Sequence, residues 1–146
     1  MSKPIPDILY YKNNIVQDMI NTPVTLTTSW ANLGPLICTS DVPAIAIWIK
    51  YLLNDSLGMQ LRVVARRYQE DTEYYSLPIK SVNPTFVQVS PEYFKLPDVD
   101  TDVVVPIECS DLVKYLQFQV RVGTLGATAA SITKCQLTTA TTGRTI

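Results

Sequence analysis

Short runs of β-branched and aromatic residues, separated by Pro, Gly, Asn and Asp, dominate the hydrophobic pattern of this chain. Runs of this kind are typical of β-strands, and no helical core is visible in the pattern. The pattern predicts about nine strands, spaced roughly ten residues apart. They cover residues 24–30, 36–38, 44–53, 59–68, 74–80, 85–90, 103–108, 112–123 and 129–139. This spacing favours an all-β antiparallel sandwich over alternating strands and helices.

Two of the predicted strands show a clear period of two, which places successive side chains on opposite faces. In residues 44–53 one face carries Ile45, Ile47, Ile49 and Tyr51, and the other carries Ala44, Ala46, Trp48, Lys50 and Leu52. In residues 112–123 one face is apolar except for Lys114, and its apolar members are Leu112, Leu116, Phe118, Val120 and Val122. The opposite face of that strand carries Gln117, Gln119 and Arg121. We therefore predict that this strand has one buried face and one solvent-exposed face, as in one sheet of a sandwich.

The first 23 residues differ from the rest, so we predict an extended N-terminal arm (1–23) followed by a sandwich domain (24–146). The apolar residues of segment 14–21 recur with i,i+4 spacing, which predicts one or two helical turns. A helix this short is stable only when it packs against another part of a protein. The arm either docks on its own domain or reaches a neighbouring subunit, because both arrangements bury the same side chains. The candidate interface residues are Ile8, Leu9, Tyr10, Tyr11, Ile15 and Met19.

Turn residues separate the strands, as in segments 54–58 and 123–126, which tolerate a left-handed backbone. Residues 97–102 form an acidic loop in which Asp98, Asp100 and Asp102 alternate. Alternating carboxylates suggest calcium, but the spacing is not that of an EF-hand, and no glycine or terminal glutamate completes one. We favour a solvated loop and expect no metal site.

The composition restricts the chemistry that the chain can perform. Its 146 residues include no histidine, which is the commonest general base and metal ligand. A Ser or Cys triad of the usual kind is therefore excluded. Neither glycine-rich phosphate loop motif occurs, and the acidic residues lie mostly in predicted turns. We predict that the protein is not an enzyme, has no catalytic residues and binds no cofactor.

The charge balance argues against nucleic acid as a partner. Twelve basic and thirteen acidic residues leave a formal net charge of −1. The one basic cluster, Arg62, Arg66 and Arg67, is followed at once by three acids within residues 70–73. We favour cross-strand ion pairing over phosphate binding for these arginines. No apolar stretch reaches the roughly 20 residues that a membrane span needs, and no secretory signal is visible, so synthesis in the cytoplasm is expected.

The cysteines and the aromatic residues each leave two interpretations open. Cys38, Cys109 and Cys135 show no Cys-x-x-Cys spacing, so they are either reduced, half-buried thiols or, because their number is odd, include an intermolecular disulfide. A candidate carbohydrate platform consists of Trp30, Trp48, Tyr51, Tyr74, Tyr75, Tyr93 and Phe94. We favour core packing for Trp48 and Tyr51, with Trp30 closing one end of the sandwich, because large aromatic side chains usually carry burial energy.

Four strand-and-turn segments, spread over about residues 24–137, carry a resemblance to a known protein family. They are 24–34 (Val-Thr-Leu-Thr-Thr-Ser-Trp-Ala-Asn-Leu-Gly), 44–54, 75–78 (Tyr-Ser-Leu-Pro) and 115–129 (Tyr-Leu-Gln-Phe-Gln-Val-Arg-Val-Gly-Thr-Leu-Gly-Ala-Thr-Ala). In these segments the chain resembles small virion structural proteins of tailed bacteriophages and prophages. The resemblance implies a jelly-roll-like sandwich that decorates the capsid or sits in the neck or tail, as a homo-oligomer. It carries over no catalytic or binding residue.

These observations predict a non-enzymatic structural protein of a phage virion, made in the host cytoplasm. Charged residues make up only 17% of the chain, so wide faces can be buried without desolvating many ions. A capsid decoration or cement protein is the preferred role, with the major capsid protein or a neck or tail protein as partner. The alternative is a carbohydrate- or receptor-binding module of a tail or neck component.

Overall fold

A computed structural model describes residues 5–10, 15–40, 42–76, 87–90, 93–109 and 113–139. Within these ranges the chain forms thirteen β-strands and no helix, so no helix there could cross a membrane. The strands are β1 (Ile8–Leu9), β2 (Gln17–Asp18), β3 (Val24–Thr25), β4 (Ala31–Asn32), β5 (Leu36–Cys38), β6 (Ala44–Leu52), β7 (Leu57–Arg66), β8 (Tyr75–Ser76), β9 (Val87–Ser90), β10 (Tyr93–Lys95), β11 (Thr101–Glu108), β12 (Tyr115–Thr124) and β13 (Ser131–Thr139).

The strands form two sheets that pack against each other. Sheet A has the order β1, β5, β12, β7, β10, β9, and in addition β4 pairs with β12 and β8 with β7. Sheet B has the order β11, β6, β13, β2, and β3 also pairs with β13. Of the described pairings, only that of β1 with β5 is parallel. The predicted all-β sandwich is therefore confirmed, while its jelly-roll arrangement stays a prediction.

The core lies between the two sheets and uses the apolar faces that the alternation predicted. On β6 the buried side chains are Ile45, Ile47, Ile49 and Tyr51, and on β12 they are Leu116, Phe118, Val120 and Val122. Strands β7 and β11 add Met59, Leu61, Val63, Val105 and Ile107. Close packing of these faces removes a large apolar area from water, which is the main term that stabilises the fold.

The other face of β12 is less exposed to solvent than predicted. Gln117 and Gln119 are only 3% and 6% exposed. Gln117 donates from Nε2 to the carbonyl oxygen of Gly34 at 2.9 Å, and Gln119 donates from Nε2 to Asn32 Oδ1, also at 2.9 Å. Because β4 pairs with β12, the chain around β4 lies against these glutamines. Buried amides of this kind are tolerated since their polar atoms keep hydrogen-bond partners.

The N-terminal segment docks on its own domain. Strand β1 pairs with β5 in sheet A, and β2 pairs with β13 in sheet B. The helical turns predicted over residues 14–21 are wrong for the described residues 15–21, because Gln17 and Met19 are buried while Asp18 between them is exposed. That alternation is the period of a strand. The division of the chain at residue 23 stays a prediction.

Several predicted strand boundaries differ from the structure. The first predicted strand, 24–30, is reduced to β3, and the segments of β1, β2, β4 and β10 were not predicted as strands. The parts 77–80, 85–86 and 112 of the predicted strands lie outside the described residues. The long strands β6, β7, β11, β12 and β13 match their predictions to within a few residues.

One end of the sandwich is tied together by Asp55, in the turn between β6 and β7. Its carboxylate accepts hydrogen bonds from the backbone N–H groups of Thr128 at 2.8 Å and Ala127 at 2.9 Å. These bonds, first of all the one from Thr128, lower the pKa of Asp55. Gly126 lies directly against Asp55, so the turn between β12 and β13 packs on the turn between β6 and β7.

Candidate functional site

The outer face of sheet B exposes a tryptophan on a central strand. Trp48 lies on β6, between Val104 of β11 and Gln136 of β13, and is 45% exposed. Its indole Nε1 donates a hydrogen bond to Thr138 Oγ1 at 2.9 Å, which fixes the ring on the sheet. The expectation that Trp48 packs in the core is therefore wrong, whereas Tyr51 is fully buried as expected.

A shallow groove of about 350 Å³ runs beside this ring. The side chains that flank it include Lys50, Asp102, Val104 and Lys134. In the register of sheet B, Lys50 lies between Asp102 on one side and Lys134 on the other. Leu52, further along β6, is also exposed. We call this surface the Trp48 face and define it by Trp48, Lys50, Leu52, Val104 and Lys134.

The edge of sheet B next to the Trp48 face is protected against strand addition. Strand β11 is the outermost strand and pairs only with β6 among the described residues. It contains Pro106, which has no N–H group to donate to an added strand. Asp102 and Glu108 are exposed near its two ends and add charge to the edge. Addition of a strand at this edge is therefore disfavoured.

The structure separates the predicted interface residues of the arm into two groups. Leu9 and Met19 lie in the core. Met19 donates its N–H to the carbonyl oxygen of Cys135 at 2.9 Å, and its Sδ is 3.6 Å from Cys135 Sγ. Tyr10 and Ile15 are exposed and Ile8 is half-buried, while Tyr11 lies outside the described residues. Of the predicted interface residues that the structure describes, Ile8, Tyr10 and Ile15 are accessible to solvent, and their interface role stays a prediction.

The outer face of sheet A carries a cluster of arginines and aromatic rings. The guanidinium carbons of Arg62 on β7 and Arg121 on β12 are 4.4 and 4.2 Å from the centroid of the Trp30 ring. Tyr93 on β10 completes the cluster, at 6.1 Å from Trp30 and 5.7 Å from the Arg121 carbon. These distances are those of cation–π contacts. Trp30 therefore lies over the outer face of sheet A, and we call these four residues the arginine platform.

Glutamines on the neighbouring strands hold both arginines of the platform. Arg62 donates from Nε to Gln119 Oε1 at 2.8 Å, and Arg121 donates from Nε to Gln60 Oε1 at 2.6 Å. Each pair lies directly across the β7–β12 ladder. Each guanidinium group is thus held by a side-chain hydrogen bond and by contact with the Trp30 ring, and that of Arg121 also contacts Tyr93.

The other two arginines of the basic cluster make local contacts. Arg66 donates to the carbonyl oxygen of Gln69 and stacks on Tyr74, with its guanidinium carbon 4.6 Å from the ring centroid. Arg67 forms an ion pair with Asp71 at 3.1 Å, four residues along the chain. The ion pair of Arg67 is thus local and does not cross strands as predicted.

The acidic loop 97–102 uses its carboxylates to hold the end of the sandwich. Asp98 accepts the N–H of Gly58 at 2.8 Å, and Asp100 accepts the N–H of Leu53 at 2.6 Å. Burial raises the pKa of Tyr51, and the charges of Asp98 and Asp100 add to the effect. Within the described residues no group of three acids or cysteines is placed to hold a metal ion. The loop therefore has a structural part in the fold.

The three cysteines are free and differ in accessibility. Cys135 is buried, and burial raises the pKa of its thiol to about 12. Cys109 is half-buried, and burial raises its pKa to about 11. Cys38 is half-buried beside Ser40, with Sγ 3.6 Å from Oγ. An intermolecular disulfide, the alternative left open above, would therefore have to use Cys38 or Cys109.

We expect iodoacetamide at pH 8 to modify Cys38 first, Cys109 more slowly and Cys135 only after unfolding, because the thiolate is the reacting species. Mass spectrometry of the digested protein would measure the three rates. Modification of Cys135 in the folded protein as fast as that of Cys38 would contradict this order. A non-reducing gel of the same sample would show whether a disulfide-linked dimer forms.

Some of these residues had a signal in the sequence and others had none. The alternation in 44–53 already placed Trp48 with Lys50 and two alanines, opposite the isoleucines, which indicated a solvent face. Val104 and Lys134 join it only through the register of sheet B, and the Arg121–Gln60 pair depends on the register of sheet A. No pattern within a single stretch of sequence indicates which residues of distant strands will lie side by side.

Comparison with known proteins assigns no family to this chain, since no family model matches the sequence and no curated protein is similar to it.

Proposed function

We propose that the protein is a non-enzymatic structural subunit of a phage virion, a capsid decoration or cement protein, and that the Trp48 face is its main contact surface. The observation that carries the proposal is the exposed Trp48 on a central strand of sheet B, with Leu52 and Val104 around it. Tryptophan is the residue most enriched among the side chains that dominate protein–protein affinity. The resemblance to small virion proteins supports the same role.

The Trp48 face has the chemical layout of a contact surface. An apolar centre is bordered by Lys50, Asp102 and Lys134, as in interfaces with a dry core and a polar rim. The bond from the indole to Thr138 holds the ring before binding, so little side-chain freedom is lost on contact. Repetition of such a contact by symmetry would lock neighbouring subunits of a shell. The partners in this proposal are the major capsid protein, or a neck or tail protein, and further copies of the chain.

Trp48→Ala is expected to weaken binding to virions by at least tenfold while leaving the fold intact. Co-sedimentation of the purified protein with particles that lack it measures binding, and circular dichroism measures the fold. Leu125→Ala is the matched control, because Leu125 is equally exposed but lies in the turn between β12 and β13. The proposal fails if the wild-type protein neither binds particles nor self-associates, or if both variants lose binding equally.

A second candidate is a carbohydrate- or receptor-binding module of a tail or neck component. The groove beside Trp48 favours it, because an exposed indole next to Lys50, Asp102 and Gln136 offers a ring for stacking and polar groups for hydroxyls. A glycan array with the wild-type protein and Trp48→Ala would distinguish the two candidates. Specific binding that Trp48→Ala abolishes, without binding to particles, would favour this second function.

A further inference from the structure

A cleft of about 560 Å³ lies between the N-terminal arm and sheet A, and it shares no lining residue with the groove beside Trp48. Its volume falls in the range of ligand sites in proteins. The arm lines it with Asp7 and Ile8, and the turn before β5 lines it with Pro35. Glu70, after β7, and Gln117 of β12 complete these walls. We call this surface the arm cleft and define it by these five residues.

We propose that the arm cleft binds an arginine side chain of a partner protein. Three acceptor groups line the cleft, namely the amide oxygen of Gln117 and the carboxylates of Asp7 and Glu70. The inference goes beyond the proposed function, because it gives the subunit a second partner surface that does not use the Trp48 face.

Gln117 supplies a buried acceptor whose direction is fixed. The residue is only 3% exposed, and its Nε2 donates to the carbonyl oxygen of Gly34 at 2.9 Å, with those of Phe118 and Pro35 at 3.4 and 3.5 Å. Carbonyl oxygens only accept hydrogen bonds, so the amino end of the amide must face them and Oε1 must point away. Among the described residues no donor is bonded to Oε1. A ligand that donates to Oε1 therefore satisfies an acceptor that the chain itself leaves unpaired.

The two carboxylates decide the sign of the charge that the cleft accepts. Asp7 and Glu70 are both exposed, and neither forms an ion pair within the described parts of the chain. Arg66 also lines the cleft, but its terminal amino groups already donate to the Gln69 carbonyl oxygen and the Tyr74 hydroxyl. The carboxylates outnumber this single guanidinium, so a cation is favoured over an anion.

The apolar part of the lining suits the stem of a long cationic side chain. It consists of Ile5, Pro6, Ile8, Pro35 and Leu36. Arginine and lysine both lay their methylene groups along apolar surface while the charged end stays with polar groups. A guanidinium carries five N–H donors in one plane, enough to serve an amide oxygen and a carboxylate together, whereas an ammonium group carries three donors around one point. Arginine is therefore the better fit.

The test is a titration of the full chain, labelled with ¹⁵N, with the capped tripeptide acetyl-Gly-Arg-Gly-amide at low salt. The side-chain amide signals of Gln117 should shift, because a new hydrogen bond to Oε1 changes the electron distribution of the amide. Binding should weaken as salt is raised. The corresponding lysine tripeptide should bind at least threefold more weakly, and the glutamine tripeptide should cause no shift.

Glu70→Gln and Asp7→Asn should each weaken binding of the arginine tripeptide about fivefold or more, because each removes one carboxylate charge from the cleft. Glu108→Gln is the matched control, since Glu108 is also exposed but lies on β11 of sheet B and its loss changes the net charge equally. It should change the affinity by less than twofold. Gln117→Leu should abolish binding, and the two substitutions of exposed acids keep the test valid if Gln117→Leu fails to fold.

Four results would overturn the inference. The first is the absence of binding by the wild-type protein, and the second is an equal loss in Glu70→Gln and Glu108→Gln, which would show unspecific attraction. The third is equal binding of the lysine and arginine tripeptides. The fourth is tighter binding of free arginine than of the capped tripeptide, which would indicate a small-molecule site instead of a contact with a partner protein.

The outcome is separable from that of the proposed function. Trp48→Ala should lose particle binding and retain binding of the arginine tripeptide, because the arm cleft and the groove beside Trp48 have no residue in common. Particle binding that depends on Trp48, together with a failed tripeptide titration, would leave the proposed function standing and remove only this inference.

Discussion

Met19→Ala is expected to lower the free energy of unfolding by about 3 kcal/mol, the usual cost of truncating a buried methionine. Met19 is 1% exposed and packs against Cys135 and against Gly34, where an added Cβ would lie 2.7 Å from Met19 Cε. For a domain of this size the melting temperature should fall by roughly 6–12 °C. In the same variant Cys135 should react faster with iodoacetamide, because the Met19 side chain no longer shields the Cys135 sulfur from solvent.

Ile15→Ala is the control on the same segment, since Ile15 is exposed and its truncation should change the stability by less than about 0.5 kcal/mol. Denaturant unfolding of the two variants measures the difference. A Met19→Ala protein as stable as the Ile15→Ala protein would show that the arm does not contribute to the core. On the present geometry, removal of residues 1–21 should destabilise the domain, because it removes Leu9 as well as Met19.

Gly126→Ala should destabilise the fold by about 2 kcal/mol, because the new methyl group would overlap Asp55. An added Cβ would lie 2.5 Å from the backbone carbonyl carbon of Asp55, which cannot rotate away. Moving Asp55 would also disturb its bonds to Ala127 and Thr128. Thermal unfolding followed by circular dichroism would measure the loss.

Gly123→Ala is the matched control in the same turn region. There the nearest atom to an added Cβ is Gln60 Nε2 at 3.4 Å, the end of a side chain that can adjust. This substitution should be neutral or slightly stabilising, because alanine restricts the unfolded chain. Equal effects of the two substitutions would contradict the steric explanation.

The long strands were predictable because their signal is local. In β6 the isoleucines alternate with small and polar residues, and that alternation alone indicates both the strand and its buried face. Strands β1, β4 and β10 are two or three residues long and exist because of their partners in sheet A. The helical spacing in 14–21 failed for the same reason, since pairing of β2 with distant β13 overrides a local preference.

The candidate site was predictable only in part. The alternation in β6 placed Trp48 on the solvent face, but the size of the side chain favoured the core, and the periodicity was the better guide. The arginine platform joins residues from β7, β10, β12 and the segment before β4. Their meeting depends on strand order and register, neither of which can be read from one stretch of sequence.

The pairing of β2 with β13 has a consequence for how the protein is made. Gln17 leaves the ribosome before its partner Leu137, which emerges on the order of ten seconds later at a typical synthesis rate of about 5–20 residues per second. During that interval β2 and the adjacent Met19 have no β13 to pair with. Sheet B is therefore closed only after translation has passed β13, so a nascent or truncated chain cannot present the finished surface.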